Sequence, residues 1–541
     1  MEQRNSGALK RLPVGAATGA AAAVCMLGAQ AVLRLATGVI SLPELIGEAM
    51  FGQMPAALFS AILDLMQRTA KPTLWAGVLL GQIVVGALLG MWFTRRGGGW
   101  PSALQVAVLA WLATGSFVLP VLGVGLFGSG TKAGAVVVGS QLLMCCLVYG
   151  TALAVLNRLT NPAGAQSGRR AALGQIAAAG AALIGVGVAW RWLMAERAPE
   201  SIVTPGAAPP PAPQTAVSIG PRRPPSVDAP AVPLSVLPNA AAAAPFDQRG
   251  LGPEVMTAAD FYTVSKNFLD PTVESGSWTL TIDGLVERPL KLSLADLARF
   301  KSHSDYYTLQ CISNLIGGDQ WGNAHWSGVR LVTALAEAGL KPGVRKLIFH
   351  AADDYTDSVT LDTALRADAL LAYEMNGEPL TREHGAPARL LIPGIYGMKN
   401  VKWVTRIEAV NFDYKGYWMQ RGWSDLAAYQ TASRIDTPRT RQNVPPGEVT
   451  FSGVAFAGHR GIDRVEVSVD GGTSWQDATV KPPLSSNAWN LWALSTRIEA
   501  PGSYTVKVRA TDGDGQVQTD LAHEPLPSGA TGYHTIIIRV G

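Results

Sequence analysis

The sequence predicts a multidomain chain: an N-terminal all-α transmembrane bundle of about five helices, a mixed α+β domain, and a C-terminal β-sandwich of about seven strands. Three observations predict it. Long apolar stretches nearly free of charge are confined to residues 1–198. Residues 199–249 are dominated by proline and alanine and cannot bury a core. Beyond them the pattern changes to short alternating segments separated by glycine-rich turns. The domains are therefore placed at 1–198, 199–249 (a linker), 250–430 and 431–541.

Charge divides the chain in the same way. Residues 1–198 hold 14 Lys/Arg and 5 Asp/Glu, and the remainder holds 30 and 35. The basic residues flank apolar stretches, so they read as topology signals and not as a nucleic-acid surface. Stretches of bilayer-crossing length occur near 13–33, 74–93, 102–127, 133–155 and 172–194. A sixth, Leu45–Met66, is interrupted by Glu48, Pro55 and Asp64 and reads as interfacial or re-entrant. Five crossings put Lys10, Arg11, Arg95, Arg96, Arg158, Arg169 and Arg170 inside, and the C-terminal domains outside the cytoplasm. Arg169-Arg170 before an Ala/Gly-rich segment is either a pair of topology arginines or an internal twin-arginine export signal. No histidine precedes His303, so this part cannot hold a haem between paired histidines.

Pro199–Pro245 contains 13 prolines and reads as an extended tether. Four cysteines in 541 residues make no disulfide framework. Cys25, Cys145 and Cys146 lie in apolar stretches and read as small apolar side chains. Cys311 is the only cysteine after Cys146. It ends a strand, Tyr306–Gln310, and a Ser-Asn turn follows. That placement suits a buried free thiol, a metal ligand or a nucleophile.

Around it the α+β domain is written in short elements. Trp278–Gly284 alternates as a strand into an Asp-Gly turn. Ser293–Phe300 is a helix capped by Ser293 with Asp296 three residues on. Leu331–Gly339 is a helix closed by glycine. Lys346–His350 and Ala388–Pro393 are strands, and Leu361–Leu365 and Leu370–Glu374 are short elements.

Several motifs occur in order from Asp260 to Trp423: Phe261-Tyr262, Leu309-Gln310-Cys311, Trp326–Leu331, Tyr355–Val359, Leu371–Leu380, His384–Arg389, Ile392–Gly394 and Gly397–Trp403. Together they resemble the molybdopterin domain of the sulfite oxidase family, which also contains periplasmic methionine-sulfoxide reductases. The resemblance implies a membrane-anchored bacterial molybdenum enzyme with one molybdenum-molybdopterin per chain and Cys311 as the metal ligand. A soft thiolate beside the pterin's own sulfurs suits molybdenum. It implies cofactor contacts from Tyr262, Lys266, Asn267, His384, Arg389, Lys399, Asn400 and Lys402, the last three in a stretch able to take a phosphate. Lysines in such a loop are otherwise solvated. Tyr355 falls at the position of an active-site tyrosine, where a phenol can donate to a substrate oxygen and assist proton transfer; it is otherwise a turn residue.

One departure stands out. Where sulfite oxidases place arginines after the cysteine turn, this chain has Leu315-Ile-Gly-Gly-Asp-Gln-Trp321. A pocket without paired cations holds the sulfite dianion poorly. The expected activity is two-electron oxygen-atom transfer not optimised for sulfite, or a sulfoxide or N-oxide reductase of the same family. A competing class is a non-catalytic, membrane-tethered binding module. The electron partner is external, a c-type cytochrome or a quinone-linked membrane protein, with no haem or iron–sulfur motif in the chain.

At the C-terminus, Val449–Ala455, Val465–Gly472 and Tyr504–Ala510 alternate as sandwich strands. With Val467–Trp475 and Trp489–Trp492 they resemble the immunoglobulin-like domain of sulfite oxidases, which implies a homodimer or, as in other members of the family, a monomer. Asp512–Gly515 reads as a hairpin turn and not a calcium loop.

Overall fold

The computed structural model describes residues 2–53, 70–131, 133–160, 246, 250–267 and 270–541. The fifth apolar stretch at 172–194, Arg169, Arg170, the tether and most of the second half of Leu45–Met66 lie outside the described residues. The described chain falls into two compact units, the helices up to Thr160 in one and the chain from Phe246 onward in the other.

In the first unit the helices are α1 (Glu2–Thr37), α2 (Leu42–Gln53), α3 (Ala70–Arg95), α4 (Trp100–Ala113) and α5 (Gly134–Thr160). Among the described residues four segments are long and apolar enough to cross a membrane: Val14–Thr37, Thr73–Arg95, Trp100–Val121 and Gly134–Thr160. The third is shorter than the apolar run at 102–127. A π-turn at Thr114–Val118 precedes Pro120, and the helix stops at Val121, before Gly123 and Gly125 at positive φ. Helices α1 and α3 meet through facing glycines. A Cβ on Gly19 would stand 2.3 Å from the Gly86 carbonyl, so small residues let the backbones touch.

The second unit opens with a five-stranded sheet, β1 (Thr279–Gly284), β2 (Leu290–Ser293), β5 (Lys346–Ala351), β6 (Thr356–Thr360) and β10 (Val404–Val410), in the order β2-β1-β10-β5-β6. A second sheet runs β3 (Ser302–Gln310), β4 (Trp321–Arg330), β7 (Leu370–Met375), β8 (Glu378–Pro379), with β9 (Arg389–Leu391) also paired to β7. The helices are short. The one from Ser293 is a single turn, α6 (Leu294–Leu297), held by the foreseen capping box between Ser293 and Asp296. In α7 (Leu331–Ala338) the buried residues Leu331, Ala334, Leu335 and Ala338 repeat at helical spacing, and Gly339 at φ +70 closes it. A last turn, α8 (Leu361–Ala364), is capped by Thr360. One core joins the first sheet to α7 and to β9 through Leu280, Leu335, Leu347, Leu371 and Leu390.

The C-terminal region is β-rich. Among the described residues it holds nine strands, three of only two residues. They are β11 (Ala432–Thr437), β12 (Asn443–Val444), β13 (Gly447–Phe456), β14 (Ile462–Ser468), β15 (Gln476–Asp477), β16 (Thr479–Val480), β17 (Asn490–Ile498), β18 (Gly502–Asp512) and β19 (His534–Val540). They form two sheets, β11-β13-β17-β16 and β12-β19-β18-β14-β15. Phe451, Trp492, Val465, Val506 and Ile538 from both sheets share one core. A further cluster joins this region to the cysteine turn: Ile312 and Trp321 pack with Tyr429, Phe456 and Trp489. The backbone N–H of Thr308 donates to Asn487 at 2.9 Å, and the Trp489 N–H donates to the Thr308 hydroxyl at 2.8 Å. The strand carrying the cysteine thus lies on the C-terminal sheets. Asp512 closes a hairpin turn, its N–H donating to Gln516 at 3.0 Å.

Candidate active site

Strand β3 ends at Gln310, and Cys311 begins the turn. Its N–H donates to Gln320 at 2.9 Å, and its carbonyl accepts from Asn314 at 3.1 Å. The Asn314 side chain accepts from the Gln320 N–H at 2.9 Å, which locks the loop. The Cys311 thiol is buried, 3.0 Å from the Ser313 hydroxyl. Burial pushes its pKa up, against the opposing hydrogen bond from Ser313. A cation at the sulfur would reverse that, because a coordinating thiol gives up its proton.

The thiol faces a cavity with about 860 Å³ free of protein atoms. Tyr262, Lys266, Cys311, Tyr355, His384, Arg389, Asn400 and Lys402 all line it. Eight of the ten residues named from the sequence therefore converge, although they span some 140 positions of the chain. Asp353, Met398, Trp418 and Trp423 also line it and were not foreseen.

Arg389 leads strand β9 and is 5% exposed. Its guanidinium donates to the carbonyls of His384 at 3.2 Å and Asn400 at 3.3 Å and lies over the Trp326 ring. Its Nε has no partner. Among the described residues no carboxylate pairs with it. Burial lowers its pKa only to about 10, so it remains a cation at neutral pH. His384 is buried and neutral. Desolvation brings its pKa to about 4, and its Nε2–H donates to the Ala258 carbonyl at 2.7 Å, leaving Nδ1 as an acceptor.

Tyr355 follows a tight turn in which Asp354 adopts φ +63. Its N–H donates to the Asp353 carboxylate at 3.0 Å. Burial, with the Asp357 charge second, holds its phenol protonated far above the usual range. Glycine at 397 permits close approach of the Tyr262 hydroxyl, since a Cβ there would stand 2.4 Å from it. The Asn400 amide is used internally: it accepts from Ile392 N–H at 2.5 Å and donates to the Tyr396 carbonyl at 3.2 Å. Lys402 donates to the Glu383 carbonyl at 2.9 Å at the cavity edge.

Two expectations are corrected. Lys399 does not line the cavity. It is fully buried and pairs with Asp357 at 3.0 Å and Asp425 at 3.0 Å. Its ammonium is drawn to these carboxylates, which lie far away in sequence. Asn267 does not line the cavity either. It donates to Asp353 at 2.7 Å and accepts from Lys266 at 2.8 Å, and so braces the loop that carries Tyr262.

Known proteins match this part of the chain. The oxidoreductase molybdopterin binding domain model matches residues 268–418, and the Mo-co oxidoreductase dimerisation domain model matches residues 425–540. Sulfite oxidase of Gallus gallus is 34% identical over 319 residues, covering 50% of this chain and 69% of that protein. The chain belongs to the sulfite oxidase family. Sulfite oxidase of Arabidopsis thaliana is 29% identical, covering 49% of this chain and 83% of that protein. A crystal structure of the sulfane dehydrogenase SoxCD from Paracoccus pantotrophus aligns with a TM-score of 0.48 and 26% identity, over 53% of this chain and 82% of that chain. As a member of the sulfite oxidase family the chain is a molybdopterin-dependent oxidoreductase with a molybdenum-molybdopterin cofactor. The non-catalytic reading is set aside.

The residues fit that group. A buried guanidinium with no counter-charge and an orphaned Nε calls for an anion, and a phosphorylated pterin is one. A lone thiol offers the soft donor that molybdenum takes.

Proposed function

We propose that the chain is a membrane-anchored molybdenum enzyme that transfers one oxygen atom and two electrons, with its catalytic domains outside the bacterial cytoplasm. The uncompensated Arg389 cation in the same cavity as the lone Cys311 thiol is the observation that carries the assignment. The domains are 1–198 (anchor), 199–249 (tether), 250–430 (catalysis) and 431–541, an immunoglobulin-like sandwich that pairs two copies of the chain. Five crossings, counting 172–194, keep Lys10, Arg11, Arg95, Arg96, Arg158, Arg169 and Arg170 on one side. Export of the last helix and the following domain would use Arg169 and Arg170. Electrons pass to or from an external c-type cytochrome or quinone-linked membrane protein.

In this reading Cys311 ligates the metal. Arg389, with Tyr262, Lys266, His384, Asn400 and Lys402, holds the pterin and its phosphate. The bound cofactor supplies reversible two-electron chemistry at a site that exchanges oxygen with substrate. Tyr355 lines the cavity, and its hydroxyl, 2.8 Å from Asp357, exchanges a proton with the substrate site. Asn267 keeps its place in the site by bracing Asp353, and Lys399 by the ion pair described above. Trp418, Trp423 and Met398 give the wall an apolar character, and Leu315–Trp321 brings no cation. The preferred substrate is therefore an uncharged sulfur or nitrogen centre and not the sulfite dianion.

Steady-state assays of purified, molybdenum-loaded protein with sulfite, a sulfoxide and an N-oxide test the substrate. The expected outcome is turnover of the uncharged compounds at lower KM than sulfite; high-affinity sulfite oxidation would overturn the inference. Arg389→Met is expected to weaken cofactor retention by about one to two orders of magnitude, the worth of one charge-assisted contact. Molybdenum per chain after dialysis measures it, and Arg389→Lys should restore only part.

A further inference from the structure

One buried carboxylate is still without a task. Asp357 is 0% exposed, and its Oδ2 stands 2.8 Å from the Tyr355 hydroxyl. The same hydroxyl stands 2.8 Å from the Met398 carbonyl. A phenol has one hydrogen to give. With Asp357 ionised, that hydrogen serves one acceptor well and leaves the other contact without its own proton. With a proton on Asp357, the carboxyl donates to the phenol oxygen and the phenol donates to Met398. Both contacts are then full hydrogen bonds. The pair is built to exist in two states that differ by one proton.

The other carboxylate oxygen leads away from the cavity. Oδ1 meets Lys399 Nζ at 3.0 Å, and Lys399 Nζ meets Asp425 Oδ1 at 3.0 Å. Asp425 Oδ2 meets Lys415 and Lys346, each at 2.7 Å. Lys415 also meets Asp413 at 3.0 Å, and their side chains are 47% and 50% exposed. An unbroken run of hydrogen-bonding atoms thus joins a residue of the cavity wall to solvent.

We propose that Tyr355, Asp357, Lys399 and Asp425 form a proton relay between the cavity and the surface at Asp413 and Lys415, with Asp357 as the residue that positions and receives the phenolic proton. The proposal rests on the oxygen-transfer reading above. Oxidising a substrate with the oxygen atom of water releases two protons and two electrons. The electrons leave to the external one-electron carrier, and the protons need an exit. The phenol gives its proton to ionised Asp357 while taking one from the cavity. Lys399 takes a proton from Asp357 as it passes its own through Asp425 to water in one concerted step; Asp425, held ionised by its lysines, conducts the proton without keeping it. Reduction runs the same links inward.

The direction of the pH dependence follows. Tyr355 and Lys399 face Asp357, with Asp353, Asp425, Lys346, Lys415 and Asp413 behind them. Burial holds Asp357 above the usual carboxylate range, against the pull of Lys399 and Tyr355. Oxidation needs this carboxylate ionised, so turnover rises with pH through its pKa; reduction falls with pH through the same value.

Asp357→Asn in the holoenzyme tests the relay. We expect kcat to fall by at least about tenfold with KM little changed. The limb of the pH profile should vanish, and the solvent isotope effect on kcat should change. Without turnover, the pH midpoint of the resting cofactor's visible spectrum should move while molybdenum per chain stays constant. Asp357→Glu should recover part of kcat and the pH limb. An Asp357→Asn enzyme with wild-type kcat and pH profile overturns the relay. If that variant fails to fold, Asp357→Asn with Lys399→Met removes both buried charges together and carries the same comparison. Wild-type protein that binds no molybdenum or oxidises and reduces nothing overturns the functional reading itself, a distinct result.

Discussion

Cys311→Ser abolishes oxygen transfer while leaving the fold intact. The loss should far exceed the roughly 10–100-fold that follows removal of a group behind a metal ligand, because on the proposed reading the ligand itself goes. The fold should survive, since a serine oxygen can take over the thiol's contacts with the Ser313 hydroxyl at 3.0 Å and with the backbone of Ile312 and Ser313. The turn is held by backbone bonds to Gln320 and Asn314 that the substitution does not touch. Activity, molybdenum per chain and protease resistance measured on one preparation check this. Wild-type turnover in the serine variant would remove the cysteine from the chemistry.

The second large effect is on stability. Lys399 and Asp357 are both 0% exposed and stand 3.0 Å apart. Lys399→Met leaves Asp357 without its cation, a loss of roughly 3–5 kcal/mol for a broken buried pair. Denaturant unfolding of the full-length holoenzyme should show an earlier midpoint at neutral pH. A variant of unchanged stability that lost its molybdenum would return Lys399 to phosphate binding. The acid side can be read separately at Asp425. Burial raises that carboxyl, but hydrogen bonds from Lys346, Lys415 and Lys399 outweigh it and hold the group well below the usual carboxylate range. Its contribution is complete above the ordinary carboxylate pKa and disappears as pH falls through the depressed one.

The sequence disclosed the site better than the architecture around it. Capping signals marked α6 and α7 because caps are local chemistry, with Ser293 and Asp296 three residues apart. Alternation marked β1 and β18 because each has one buried face. It could not mark β4, in which eight of the nine residues from Trp321 to Val329 are buried, so no period of two remains. Cys311, Arg389 and His384 could be grouped in advance because residue type and motif order single them out, and they line one cavity. Lys399 was not, because its partners lie 42 and 26 residues away and only folding chooses between a phosphate and those carboxylates. Trp418 and Trp423 gave no signal, since a tryptophan in a loop reads the same whether it lines a cavity or covers a core.

The seating of β3 on Asn487 and Trp489 has a practical corollary. The cysteine turn borrows its foundation from residues nearly two hundred positions downstream, so a chain shortened at residue 430 would lose the ledge on which its cysteine rests. The cofactor domain and the β-rich region after it are in this sense a single workpiece, and a fragment carrying the cofactor segment alone is a poor surrogate for the enzyme.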